Sequence, residues 1–149
     1  MAQGDFTLFE ELGNALDEID WDADTFKLGL TSSTPTAADA TPVWSDYTEV
    51  TPATGNYSAG GSAIGTTTFT EAGGDTTFNG DNVTWAADGS NPTNALFGIV
   101  YDSTTATKHA VGFVDLGGTF DMTTGPLTVT WSSNGILKFE TQASAAYAA

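Results

Sequence analysis

Asp20, Asp22 and Asp24 alternate with other residues in Ile19-Asp20-Trp21-Asp22-Ala23-Asp24, the spacing that opens a calcium loop. Calcium takes carboxylate and carbonyl oxygens, so acids two apart can supply its first ligands. A full loop also needs Gly directly after the third Asp and Glu at its twelfth position. Thr25 and Thr31 stand there instead. The segment therefore reads as a solvated acidic turn, and no metal ligand or cofactor is expected. His109 is the single histidine, so any Ser-His-Asp arrangement must use it. No G-x-S-x-G elbow accompanies it, and it reads as a strand-edge residue beside a loop. Asp115 follows Phe113-Val114 and precedes Leu116-Gly117-Gly118. Its expected role is to accept backbone N–H groups of a turn. No catalytic residue is assigned.

Four Trp and four Tyr could serve as stacking surfaces or as core. Trp85 is in phase with Val83, and Trp131 with Leu127 and Val129, so both are expected inside. Trp21 and Trp44 lie beside loops. With Phe6 and Phe9 they form the set expected to contact a partner. Gly60-Gly61, Gly73-Gly74 and Gly117-Gly118 read as turn pairs, and none belongs to a nucleotide-binding pattern.

These residues sit on a chain of 149 residues with 19 acids, three Lys, no Arg and a net charge of −16. Phosphate neutralisation needs Lys and Arg, so nucleic acid and anionic membrane surfaces are not expected partners. The chain has no Cys, which excludes disulfides and thiolate metal sites. No run approaches the roughly 18 apolar residues of a membrane span, and Met1–Gly13 lacks the pattern of a secretory signal. The length suits one domain over residues 1–149.

The hydrophobic period places the elements. Phe9, Leu12, Leu16 and Ile19 recur at three- and four-residue steps, which predicts a helix over residues 5–20 with Asp5 as N-cap, inside an N-terminal arm of residues 1–24. From Thr25 the period is two. Strands are expected at Thr25–Leu30, Tyr47–Val50, Thr66–Glu71, Thr76–Phe78, Val83–Ala86, Ala95–Tyr101, Ala110–Leu116, Leu127–Trp131 and Leu137–Phe139. Ala95–Tyr101 is apolar at almost every position, as in a strand covered on both faces. Asn134-Gly135 predicts a hairpin turn between the last two strands. Residues 141–149 read as a loose tail. The fold class is all-β: an antiparallel sandwich with jelly-roll-like character and one short N-terminal helix.

Ala95 to Glu140 carries a distinctive order: a strand ending in Val-Tyr-Asp, a polar loop, a strand ending in Phe-Val-Asp-Leu-Gly, and then Leu-Thr-Val-Thr-Trp-x-x-Asn-Gly-Ile-Leu. With Ile19–Leu30, Asn56–Gly61 and Asp81–Trp85, this stretch resembles a family of small β-rich structural proteins of tailed bacteriophages. The resemblance spans about residues 6–140. It implies a virion protein, not an enzyme, that decorates the phage head. Its implied partners are the major capsid protein and two further copies of itself in a homotrimer, assembled from protein made in the host cytoplasm. The alternative is a tail- or head-fibre module that binds host glycans.

Overall fold

In a computed structural model, which describes residues 4–52 and 54–140, the period of two from Thr25 becomes an inner strand of a five-stranded sheet. Ten strands are present among the described residues: β1 Phe6–Leu8, β2 Phe26–Thr31, β3 Ser62–Ala63, β4 Thr68–Ala72, β5 Asp75–Asn79, β6 Val83–Trp85, β7 Ala95–Asp102, β8 Ala110–Phe120, β9 Leu127–Val129 and β10 Leu137–Glu140. They pair in the orders β1-β8-β7-β2-β3, β10-β5-β4 and β6-β9. Every pairing is antiparallel. The expected all-β class is thus observed. The pairings do not establish jelly-roll connectivity.

Register divides the five-stranded sheet into two faces. Phe26 stands opposite Asp102, Leu28 opposite Val100, Leu30 opposite Gly98, and Phe6 opposite Val114. This face packs on the smaller sheets, through Phe78, Leu137, Val83, Trp85, Leu127 and Val129. On the reverse face, Ile99, Tyr101 and Phe113 pack with Phe9, Tyr47 and Trp44. The near-continuous apolar run of β7 follows from this two-sided cover.

Trp21 ties the layers together. Its ring lies 5.2 Å from Phe26 of β2 and 5.0 Å from Phe78 of β5. It also meets Phe69 of β4 at 5.7 Å and Phe139 of β10 at 5.8 Å. Two close approaches require glycine. A Cβ on Gly29 would fall 2.4 Å from the Trp44 ring, and one on Gly61 would fall 2.0 Å from the Leu28 carbonyl oxygen. Gly61 also has φ of +76°, which side chains rarely adopt. The Gly-rich segment between Asn56 and Gly65 thereby seats against β2. Tyr57 is buried there. Its hydroxyl donates to Glu49 at 2.8 Å and accepts the Leu30 N–H at 3.0 Å.

Three expectations need correction. The N-terminal helix is not an α-helix over residues 5–20. β1 comes first, then a six-residue 3₁₀ helix at Glu10–Ala15 whose N-cap, Phe9, makes no side-chain cap. Three residues per turn align Phe9, Leu12 and Ala15, all buried, and leave Leu16 38% exposed. Second, Asn134-Gly135 does turn the chain, with Gly135 at φ of +91°, but it joins no hairpin. β9 pairs with β6, and β10 pairs with β5. Third, Tyr47–Val50 is no strand: it meets β2 at a single Thr31–Glu49 bridge and through the Thr31 hydroxyl, which donates to the Thr48 carbonyl at 2.7 Å. β1 and β3 were not expected. The tail at 141–149 lies outside the described residues.

Removing the ring of Trp21 should cost about 3–5 kcal/mol, as large aromatic-to-Ala changes in cores do. Urea unfolding of Trp21→Ala against the parent protein measures it.

Candidate functional site

β8 and β9 are the strands that position one open feature of the surface. Between them runs a furrow of about 380 Å³ lined by Val114, Leu116, Phe120, Leu127 and Val129. A second hollow of about 330 Å³ shares Gly4, Val114, Val129 and Thr130 with it and extends to Phe6, Trp131 and Ile136. The furrow forms because β9 pairs with β6 and not with the neighbouring layer. Asp115, Thr128 and Thr130 line it beside these apolar side chains, so its walls are mixed, and β1 is the outermost strand of the sheet that carries β8. Phe6 and Trp131 meet edge to face at 5.9 Å in the second hollow, both half-buried. The Trp131 indole N–H donates to the Asp81 carbonyl at 2.9 Å. Trp131 thus packs against the core margin, whereas its phase with Val129 had placed it inside.

The other expected contact residues divide. Trp44 is half-buried and stacks on Tyr101 at 4.9 Å with the rings 6° apart. Phe9 is 2% exposed and Trp21 8% exposed. Both belong to the chain's own core and have almost no surface for a partner. The position of Trp21 beside a loop misled because a turn residue can point inward.

The acidic turn is a closed hydrogen-bond unit. One carboxylate oxygen of Asp20 accepts the N–H groups of Asp22 and Ala23, each at 3.1 Å, and Asp24 accepts the Asp20 N–H at 2.8 Å. Among the described residues, no three His, Asp or Glu side chains converge as metal ligands. His109 holds Glu18 at 2.8 Å across the surface. Asp115 accepts the Gly117 N–H at 2.7 Å, the turn role expected of it. The glycines after it bulge β8, so that Ala95 faces Phe120 while Phe97 faces Asp115.

Sequence reading missed Asp102. It is fully buried and stands beside Phe26 on the core-facing side of the sheet. One oxygen accepts the Thr104 N–H at 2.8 Å, and the other has no hydrogen-bond partner. Burial pushes its pKa above the ordinary 3.8, and the nearby Asp24 charge adds to this, against the opposing Thr104 N–H. The available signal was register: Asp102 is in phase with Val100 and Gly98, so a strand running one residue further carries it inward. Nearby, burial and then the Glu49 charge raise Tyr101 to about 12.

Comparison with protein-family models, with curated proteins and with solved structures yields no match. No helix among the described residues is long and apolar enough to cross a membrane.

The raised pKa of Asp102 fixes the sign of a pH effect. A group whose folded pKa lies above its unfolded value stabilises fully below the unfolded value, and that stabilisation is lost as pH rises through the folded value. In chelator-containing buffer, Asp102→Asn should therefore gain on the parent as pH rises from about 4 to 7. The gain should grow steadily with pH across that range. Denaturant midpoints across that range test it. A constant difference between the two proteins contradicts it.

Proposed function

We propose that this chain is a structural virion protein that decorates a tailed-phage head. It bridges neighbouring subunits of the major capsid protein and assembles there as a homotrimer. The observation that carries this reading is the furrow between β8 and β9, lined in part by Val114, Leu116, Leu127 and Val129, together with the adjoining hollow that Phe6 of the outer strand β1 lines. A concave surface of mixed apolar and polar side chains beside an edge strand suits docking of another chain. The resemblance of residues 6–140 to tailed-phage structural proteins supplies the identity of that other chain. The net charge of −16 keeps free copies apart before they dock.

The mechanism is mechanical. Each docked copy adds interface between capsid subunits, and a copy bound only in its folded form is itself stabilised. Three linked copies engage the shell together, which raises avidity without new contacts. Phe6 and Trp44 remain the contact residues of the original four, because each keeps surface outside the core.

Purified protein mixed with expanded heads that lack it should co-sediment with them, and cryo-electron microscopy should show ordered density at local threefold positions. Phe6→Ala should weaken head binding about tenfold, the effect of losing one apolar anchor, with circular dichroism verifying the fold. Density on tails would transfer the protein to the fibre reading, for which a glycan array is the direct test.

A further inference from the structure

The end of β7 and the acidic turn before β2 bring together two carboxylates, one of which, Asp24, also accepts the Asp20 N–H within the turn. Asp102 is fully buried and one of its oxygens has no partner. Asp24, only partly exposed, stands within hydrogen-bonding reach of it. The juxtaposition follows from the path of the chain: Phe26 faces Asp102, and the turn that holds Asp24 leads directly into β2. The approach is fixed further by the Thr25 carbonyl, which accepts the Ser103 N–H at 2.9 Å and the Ser103 hydroxyl at 2.7 Å.

No cation of the chain pairs with these two groups among the described residues. His109 pairs with Glu18, and Lys138 pairs with Asp75 and Glu140. Lys27 belongs to the opposite face of β2, in register with Tyr101. Asp20 and Asp22 add further negative charge in the same turn. Two adjacent carboxylates, one of them buried, are held charged only with a compensating cation.

We propose that Asp24 and Asp102 form a binding site for a divalent cation of the calcium class. Such an ion takes oxygen ligands at flexible geometry, so two carboxylates can be completed by loop oxygens and water. The site differs from a calcium loop built on Asp20, Asp22 and Asp24, because its decisive ligand comes from β7. Few carboxylates mean weak binding, with a Kd on the order of 0.1–1 mM. The bound ion would pin the turn before β2 to the loop after β7. The inference stands apart from the capsid reading, since it concerns only the isolated chain.

The test is thermal unfolding of chelator-treated protein at pH 7.5, with and without 10 mM calcium chloride as the probe (~10–100 times that Kd). Calcium should raise the parent's midpoint by about 5 °C, and should leave Asp102→Asn and Asp24→Asn unshifted. Asn keeps the shape of the carboxylate and its acceptor for Thr104, so the fold should persist. Terbium luminescence sensitised by Trp21, displaced by calcium, reads the same site without relying on stability. An unshifted parent whose stability simply falls with rising pH would mean that the pair holds a proton instead, and would overturn the site. An equal calcium shift in parent and Asp102→Asn would overturn it as well, by locating the ion on the general acidic surface.

Discussion

The stacking of Trp21 on Phe26 is the contact on which the arrangement of layers depends. Phe26 belongs to the five-stranded sheet, and the same indole touches one aromatic ring from each strand of the three-stranded sheet. Phe26 and Phe78 also meet directly, at 4.6 Å. Sheets packed face to face hold one another only through such inward side chains. The acidic turn is therefore no free loop. Its Trp is anchored in the core while its Asp residues bond one another at the surface.

The reverse face of the large sheet is closed differently, by short segments in place of a second sheet. Trp44 lies flat on Tyr101 over the space that Gly29 leaves open, and Phe9 packs between Tyr47 and Phe113. Glu49 fastens the margin by accepting the Tyr57 hydroxyl and the Gly60 N–H, while Tyr101 donates to the Gly60 carbonyl at 2.7 Å. Aromatic residues with a polar tip suit this position, since the ring is buried and the hydroxyl reaches backbone at the rim.

Most strands were legible because an exposed face preserves alternation in β6, β9 and β10, while the covered β7 shows as a nearly continuous apolar run. β2, β4, β5, β6, β7, β9 and β10 fall within two residues of their expected bounds. The partnership of β9 and β10 was not legible, because a turn signal reports local chain reversal and says nothing about which sheet each strand joins. The N-terminal helix failed for a related reason: the spacing of Phe9 and Leu12 fits a 3₁₀ helix as well as an α-helix. The candidate sites were less visible than the fold. Asp102 looked like the polar end of a strand, and the furrow exists only because β9 turns to β6.

The pairing of β1 with β8 sets Phe6 opposite Val114 and Leu8 opposite Gly112, and β2 waits in the same way for β7. On a ribosome, the first strands of the central sheet would leave the exit tunnel long before the strands that complete them. Until then their apolar side chains have no sheet to join. Contacts so distant in sequence make folding slow, and the surplus of acids over the whole chain gives the waiting segment a charge that keeps neighbouring nascent chains apart.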